Sequence, residues 1–377
     1  MRVSGDWLEN DRTQKVLGLL TGAGHAAYAV GGCVRNAALG EVVTDVDIAT
    51  SARPQQVIAL AEAANLRAVP TGLAHGTVTL VVDGEGFEVT TFRRDVATDG
   101  RHAEVAFSDR MEDDAARRDF TMNSLYADAA GHVLDPLGGM DDLRARRLRF
   151  VGDPAQRIAE DYLRILRFFR FHAQYGDPDH GLDPDGLAAC ADGAEGLARL
   201  SAERVTGELR KLLSAHDPSP SVAAMHHASV LVRVLPGADP RGLAPLVHLD
   251  AGVPPRWLRR LAVLGGETSA LRLTKAEARD LTCLRGALGD MTAPALLGYR
   301  LGAELGTDAV LARAATFESP LPPDWQAEIA RGASARFPIR AADLPGLDGA
   351  ALGQRLKALE ARWITSDFRA TRDDLLG

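Results

Sequence analysis

The stretch from Tyr28 to Thr50 constrains the fold of this chain more than any other. An apolar run is followed by the glycine pair Gly31 and Gly32, a short helical pattern and the sequence Asp45-Val-Asp47. This order predicts a strand, a tight turn, a helix and a second strand. Because alternate residues of a strand face the same side, Asp45 and Asp47 are expected to project together. Two carboxylates beside a helix N-terminus suit a divalent metal held next to a bound phosphate.

A neighbouring pair of strands offers a third carboxylate. Residues 77–82 and 87–92 alternate in polarity and are joined by turn residues, which predicts an antiparallel hairpin. Glu88 lies on one face of its second strand. Phosphoryl transfer is served by carboxylates that together hold metal ions, so Glu88 is our candidate third member. The alternative is an ordinary solvated side chain on an exposed face.

The glycine turn itself is a candidate phosphate site. Backbone N–H groups that follow Gly31 and Gly32 point out of the first helical turn, and Arg35 follows within that helix. We expect these groups to hold a triphosphate. The alternative is a solvated edge strand after a glycine turn, with no ligand.

Two further segments carry polar residues near this frame. Residues 113–125 are predicted to form a helix, in which Asp119 and Asn123 are i, i+4 neighbours. A carboxylate and an amide so placed can bind a ribose hydroxyl or a base edge, or can simply support the helix. Residues 93–103 are polar and aperiodic and predict a mobile loop. Within this loop region, Arg94 and Arg101 are candidates for contact with a polyanion, or are solvated.

A helix beginning at Pro154 is well signalled, because Asp153 can cap it and proline suits its first position. It carries an apolar stripe on one side. Phe168 and Phe171 fall on the opposite, polar side, which is unusual for a solvated surface. The pattern predicts a helix covered on both faces, with its polar groups in a cleft.

Charge and composition exclude several classes of protein. The net charge of the 377-residue chain is −8, so any nucleic-acid contact must come from local basic patches. The three cysteines are far apart and give neither a zinc site nor a disulfide framework. The N-terminus lacks the apolar core of a signal peptide, and no run approaches the ~18 apolar residues of a membrane span. We expect a cytoplasmic protein with no membrane partner.

The element pattern changes along the chain, which predicts an α+β fold. A head at residues 1–140 combines a mixed or antiparallel sheet with helices. A helical neck follows at residues 141–215, and residues 216–377 have the Ala, Leu and Arg periods of a helical body and tail.

At these residues the chain resembles class II tRNA nucleotidyltransferases (CCA-adding enzymes) and the bacterial poly(A) polymerases, over roughly residues 26–215. Gly31-Gly-Cys-Val-Arg35 with Asp45-Val-Asp47 is similar to the first motif of that family. The resemblance implies that Asp45 and Asp47 bind the metal. The segment Phe87-Glu-Val-Thr-Thr-Phe-Arg93 resembles the strand with the third carboxylate, Glu88.

Two later segments resemble the family's nucleotide-recognition motifs. Residues 117–123, Arg-Arg-Asp-Phe-Thr-Met-Asn, look like the ribose-recognition motif. The resemblance implies nucleotide binding by Arg118, Asp119 and Asn123.

Residues 160–167, Glu-Asp-Tyr-Leu-Arg-Ile-Leu-Arg, look like the amino-acid template. The resemblance implies that Asp161 and Arg164 pair with the Watson–Crick edges of C and A, and that Arg167 supports them. The next family segment, the neck helix, begins at Ser201-Ala-Glu-Arg. Its capping box is incomplete, because Arg204 takes the place of the usual glutamate.

The resemblance implies an activity and its partners. CTP and ATP would be added as CCA to tRNA 3′ ends with Mg²⁺ and release of pyrophosphate, and no DNA partner is expected. Many members carry Asp where this chain has Asn36. Relatives that add only CC lack part of a flexible loop, whereas residues 94–104 are present here and favour addition of the terminal A.

Three alternatives remain open. A poly(A) polymerase tends to carry a basic C-terminal extension, but residues 351–377 have five basic and four acidic side chains. A partial enzyme that adds only CC or only A, and a non-catalytic RNA-binding protein, are the others. Intact Asp45, Asp47 and Glu88 argue against the non-catalytic alternative.

Overall fold

The computed structural model describes residues 1–99 and 102–377, and the chain divides into two compact units. The first unit comprises residues 1–236 with 268–271, and the second comprises residues 237–267 with 272–377. The division into head, neck and body inferred from sequence stays a prediction.

The first unit contains a seven-stranded sheet and a separate two-stranded sheet. The strands are β1 Ala27–Val30, β2 Asp47–Thr50, β3 Arg67–Gly72, β4 Thr77–Val82, β5 Glu85–Thr91, β6 Arg93–Asp99, β7 His102–Phe107, β8 Tyr126–Ala127 and β9 Val133–Leu134. The large sheet has the order β3-β4-β5-β2-β1-β8-β9. Strands β2 and β5 run parallel and the other neighbours antiparallel, so the predicted α+β head with a mixed sheet is confirmed.

Short helices flank this sheet. They are α1 Asp6–Glu9, α2 Asp11–Gly22, α3 Gly32–Leu39, α4 Pro54–Ala63, α5 Met111–Ala116 and α6 Gly139–Arg144. The predicted β4–β5 hairpin is confirmed, and its alternation buries Phe87 and Val89 while Glu88 is exposed.

The helix predicted over residues 113–125 is wrong. Helix α5 ends at Ala116, and only a 3₁₀ turn forms at Thr121–Asn123. Phe120 instead makes an isolated β-bridge with Phe150, and the Thr121 N–H donates to the Arg149 carbonyl. Pairing with a distant segment has therefore replaced the local helical hydrogen bonds.

The aperiodic loop predicted over residues 93–103 is also wrong for residues 93–99 and 102–103, which lie in strands. Strands β6 and β7 pair antiparallel, with Arg94 opposite Ala106. Arg94 is exposed on this hairpin, and Arg101 lies outside the described residues. The sequence of this segment has no apolar alternation that would mark a buried face, so it did not predict strands.

The rest of the first unit is helical. Its helices are α7 Pro154–Glu160, α8 Leu163–Tyr175, α9 Pro184–Asp192, α10 Ala202–Leu213, α11 Ser219–His227 and α12 Leu231–Val234. The single helix expected from Pro154 is interrupted at Asp161, which has an extended backbone (φ −155°, ψ 104°). Burial on both faces is confirmed, because Phe168, Phe169 and Phe171 are all buried.

The second unit is helical throughout its described residues. It contains α13 Leu243–Leu249, α14 Trp257–Leu264, α15 Lys275–Leu288, α16 Pro294–Thr316, α17 Trp325–Ser334, α18 Gly349–Thr365 and α19 Arg372–Leu376. The fully buried Arg259 donates to Asp250 at 2.8 Å and to Asp308 at 2.9 Å, so these three buried charges are paired with one another. In the part of the chain that the structure describes, no helix is both long and apolar enough to cross a bilayer.

Helices α16 and α17 approach closely because Gly332 lacks a side chain. A Cβ atom on Gly332 would lie 1.7 Å from the Ala295 carbonyl oxygen. No L residue with a side chain fits this position without moving one helix.

We expect Gly332→Ala to lower the free energy of unfolding by about 1–3 kcal/mol, the usual cost of overpacking. Gly286→Ala is the matched control, since nothing lies within 4 Å of its added Cβ in the exposed interior of α15. There alanine should stabilise by up to about 1 kcal/mol. Urea unfolding of both variants measures the difference, and equal effects would contradict the close approach.

Candidate active site

The glycine turn places a helix N-terminus at the end of β1. Gly31 has φ 73° and ψ −117°, and its N–H donates to the Leu125 carbonyl at 3.0 Å. A Cβ on Gly31 would lie 3.2 Å from Arg118 Nη1 in a region of the backbone map open to glycine. Helix α3 begins at Gly32, so the N–H groups of its first turn have no intrahelical acceptor and can meet a phosphate.

Two of the predicted carboxylates lie side by side. Asp47 is in register with Glu88 across the parallel strands β2 and β5, and both side chains are exposed. Since paired strands lie about 4.8 Å apart, the two carboxylates share one face at the edge of the site. The strand predicted to begin at Asp45 begins instead at Asp47, so Asp45 lies just before β2. Asp45 is exposed, accepts a hydrogen bond from Thr44 Oγ1 at 2.9 Å, and is close enough for its charge to affect Asp47.

These carboxylates repel one another. Desolvation raises the pKa of Asp47, the nearby Glu88 and Asp45 charges raise it further, and Arg118 opposes them. Asp47 is open to solvent on one side and crowded by protein atoms on the other. Carboxylates crowded in this way favour a bound cation, which would relieve the repulsion.

The donor set fits a hard cation such as Mg²⁺. Among residues 1–99 and 102–377, no group of three or more His, Cys, Asp or Glu side chains is already arranged around a metal position. Mg²⁺ does not require such a cage, because it is commonly held by one or two carboxylates with water and substrate phosphates. Asp47 and its neighbour Asp45 can supply those carboxylates.

Arg118 is held against the turn by residues that sequence reasoning missed. It donates to Asp114 Oδ2 at 2.8 Å, and the Tyr126 hydroxyl donates to the same oxygen at 2.8 Å. Desolvation alone would raise the pKa of the buried Asp114, but Arg118 and its hydrogen bonds lower it overall. The i, i+4 spacing of Asp114 and Arg118 on a helical segment was the available sequence signal.

Arg35 is turned into the protein. Its side chain is buried, donates to Asn123 Oδ1 and to the Tyr175 hydroxyl, and its guanidinium lies 4.0 Å from the centre of the Tyr175 ring. This geometry favours a bracing role between α3 and α8 over the predicted phosphate contact. Tyr175 gave no sequence signal.

Asp119 links the glycine turn to α8. Asn123 Nδ2 donates to Asp119 Oδ1 at 2.9 Å, and Arg167 Nε donates to Asp119 Oδ2 at 2.8 Å. With the Arg35–Asn123 bond, these contacts form a chain from α3 to α8. The predicted Asp119–Asn123 pair therefore exists, but a turn and a 3₁₀ segment hold it instead of a continuous helix.

The helix break places Asp161 at the start of α8. Its Oδ1 accepts from the Leu163 N–H at 3.1 Å, and its Oδ2 accepts from Arg204 Nη2 on α10 at 2.6 Å. One turn later, Arg164 donates to Glu160 and to the carbonyls of Arg157 and Arg117. Asp161, just before α8, and Arg164, in the first turn of α8, thus supply an acceptor and a donor group respectively.

Family comparison supports this interpretation of the head. Residues 27–149 match the family model described as the poly A polymerase head domain. Residues 27–149 are therefore similar to the head domain of that family. Residues 181–241 match a second model, described as a probable RNA and SrmB-binding site of polymerase A.

Curated relatives of this head are CCA-adding proteins. The chain is 44% identical over 228 residues to human CCA tRNA nucleotidyltransferase 1, mitochondrial, covering 60% of this chain and 50% of that protein. It is 42% identical over 212 residues to the CCA-adding enzyme of Levilactobacillus brevis, covering 56% and 52%. The matched region spans about half the length of these relatives. The family resemblance noted in the motifs is thereby confirmed.

Solved structures extend the likeness along the chain. The Bacillus stearothermophilus CCA-adding enzyme in complex with CTP is 29% identical, with a TM-score of 0.75 and 94% and 93% coverage of the two chains. The Thermotoga maritima CCA-adding enzyme complexed with tRNA is 17% identical with a TM-score of 0.69, which shows a shared fold.

The Asp119 ion pair predicts a pH dependence. Desolvation would raise the pKa of Asp119, but Arg167 and three hydrogen bonds lower it to about 2. Because this lies below the ordinary value near 4, the pair contributes roughly 2–3 kcal/mol above pH 4. That contribution is lost as the pH falls through 2.

We expect Asp119→Asn to lower the free energy of unfolding at pH 7, and the difference from the unsubstituted chain to shrink between pH 4 and 2. Urea unfolding across this range measures it. Asp141→Asn is the control, since Asp141 is 84% exposed and its substitution should change stability by less than about 0.5 kcal/mol. A pH-independent difference at Asp119 would contradict the ion pair.

Proposed function

We propose that this chain adds C, C and A to the 3′ ends of tRNA, with CTP and ATP as substrates and pyrophosphate as the product. The observation that carries the proposal is the hydrogen-bond chain Arg35–Asn123–Asp119–Arg167. It joins a phosphate-type turn beside clustered carboxylates to the helix that presents Asp161 and Arg164. This connection supports the proposal, because it would hold the reacting group and the base-reading group in one preorganised site.

The exposed carboxylates of Asp45, Asp47 and Glu88 are proposed to serve the nucleotidyl transfer step. Asp45 and Asp47 would hold Mg²⁺, which when bound neutralises charge on the triphosphate and lowers the pKa of the attacking hydroxyl. The tRNA 3′-hydroxyl attacks the α-phosphorus, the bond to the β-phosphate oxygen breaks, and pyrophosphate leaves. Glu88, exposed beside Asp47, is the side chain that we expect to accept the hydroxyl proton.

The turn and the 3₁₀ segment are proposed to orient the nucleotide. The first N–H groups of α3, after Gly31 and Gly32, point toward the phosphates. Arg118 is positioned over this turn by its ion pair with Asp114. Asp119 and Asn123 are buried and hydrogen-bonded within the protein, and we propose that they form the floor of the ribose site.

The base is proposed to be selected by Asp161 and Arg164. C and A each present an amine donor beside a ring-nitrogen acceptor, whereas G and U present a carbonyl oxygen beside an N–H. A carboxylate acceptor next to a guanidinium donor matches the first pattern and opposes the second. Arg167 supports the pair from the next turn of α8, through its bond to Asp119.

The proposal also names residues that would contact tRNA and a cellular compartment. Arg94, exposed on β6, and Arg101 stay candidates for tRNA contact, and residues 216–377 are proposed to bind tRNA as well. We propose the cytoplasm as the compartment, because the cysteines Cys33, Cys190 and Cys283 are all free thiols, as in a reducing environment.

Asp47→Ala should reduce nucleotide incorporation by about a thousandfold or more, since metal stabilisation of the transition state supplies several kcal/mol. Asp45→Ala should behave likewise. Incorporation is measured on tRNA lacking its CCA end, with circular dichroism to confirm folding. Glu62→Ala, which removes an exposed carboxylate from α4, is the control and should retain full activity. Normal activity in Asp47→Ala would refute the metal assignment.

Arg164→Ala should relax the choice of base more than it weakens tRNA binding, because it would remove the donor that we propose pairs with the base. Incorporation of all four nucleoside triphosphates and a tRNA-binding titration provide the two measurements. An unchanged preference for C and A would refute the base-reading role.

The family model leaves poly(A) addition as the second candidate, since its name refers to poly A polymerases. One assay separates the candidates. The protein is incubated with tRNA lacking CCA, together with CTP, ATP and Mg²⁺, and the 3′ ends are sequenced. CCA supports the proposal, oligo(A) supports the polymerase, CC or A alone indicates a partial enzyme, and no addition refutes the enzymatic function.

A further inference from the structure

Helix α10 begins with a residue that local helix rules do not explain. Ser201 is its N-cap and makes no side-chain capping bond, and Arg204 occupies the position where a capping box has glutamate or glutamine. Capping therefore does not account for Arg204 at this position of α10.

Arg204 reaches across to the break between α7 and α8. Its Nη2 atom donates to Asp161 Oδ2 at 2.6 Å, the distance of a charge-assisted hydrogen bond. The other oxygen of Asp161 caps α8 through the Leu163 N–H. These two contacts hold both oxygens of Asp161 and thereby fix the plane of its carboxylate group.

The pair has little value for stability alone. The side chains of Arg204 and Asp161 are 33% and 28% exposed, so water screens much of their attraction. The pair does determine the orientation of the Asp161 carboxylate. Each carboxylate oxygen has two acceptor sites, so Asp161 keeps one on each oxygen after both contacts are made.

We propose that Arg204 is a positioning residue for base selection, which holds Asp161 as a fixed, acceptor-only group for the amine of an incoming C or A. This inference rests on the proposed function of Asp161. Arg204 acts through that carboxylate and needs no contact with the nucleotide.

An Asp161 carboxylate that rotates freely would discriminate less between C or A and U or G. U and G place a carbonyl oxygen where C and A place an amine. An oriented carboxylate repels that oxygen, whereas a rotating carboxylate can turn away and leave space for a bridging water. Loss of Arg204 should therefore admit U and G without preventing catalysis.

The test compares Arg204→Ala with the unsubstituted chain in single-nucleotide addition to tRNA ending at CC or lacking CCA. We expect the kcat/KM ratio of CTP to UTP, and of ATP to GTP, to fall about tenfold. Arg204→Lys should recover part of the ratio, because it keeps the charge but not the planar fork. Lys211→Ala removes an exposed charge from the same helix and should leave both ratios unchanged.

A double-mutant cycle separates positioning from general loosening. In an Asp161→Ala background, Arg204→Ala should have no further effect on either ratio, because its effect passes through Asp161. Unchanged ratios in Arg204→Ala, or equal effects in both backgrounds, would overturn the proposal. Thermal unfolding should shift only slightly in Arg204→Ala, and a large drop would assign the arginine to folding instead.

Equilibrium binding of CTP, UTP, ATP and GTP distinguishes failure of this inference from failure of the proposed function. If the unsubstituted chain adds no nucleotide but binds CTP over UTP, and Arg204→Ala removes that preference, the inference stands and the enzymatic proposal falls. If the chain adds CCA but Arg204→Ala keeps every preference, the inference alone falls. No base preference in either assay overturns both.

Discussion

The buried carboxylate of Asp119 is the group on which the arrangement of the site depends. Asn123 donates to one of its oxygens and Arg167 to the other, and burial makes the loss of either partner expensive. A carboxylate this enclosed stays ionised only while Arg167 faces it. The ion pair therefore fixes the position of α8 against the head.

That single ion pair holds the glycine turn at a fixed distance from the start of α8, where the proposed base-selecting residues lie. Through Asn123 it connects with Arg35 on the helix after the glycine turn, and through Arg167 it connects with the helix that begins at Asp161. Arg35 also stacks on Tyr175, the last residue of α8, so a second contact joins α3 to this helix. A nucleotide bound at the turn would thus meet a base-reading face whose position is already set, which lowers the entropic cost of selection.

The elements that the sequence predicts correctly are those whose pattern lies within a few neighbouring residues. The β4–β5 hairpin follows from alternation and turn residues, and the exposed Glu88 follows from that alternation. It failed where a distant segment competed. Phe120 pairs with Phe150 instead of continuing α5, and Asp161 adopts an extended backbone where Arg204 and Leu163 share its oxygens. Phe150 and Arg204 are 30 and 43 residues away from Phe120 and Asp161, so neither is visible within one helical window.

The amino-acid sequence alone supplied the candidate groups for the proposed reaction. They are the glycine turn, the acidic residues Asp45, Asp47 and Glu88, and the polar residues of the template-like segment. Their identities follow from what phosphate, cation and base edges require. Only the tertiary structure decided which side chains remain available, because that depends on partners far apart in the chain. It places Arg35 against Tyr175, puts Asp47 in register with Glu88, and breaks the helix at Asp161, where Arg204 holds the carboxylate.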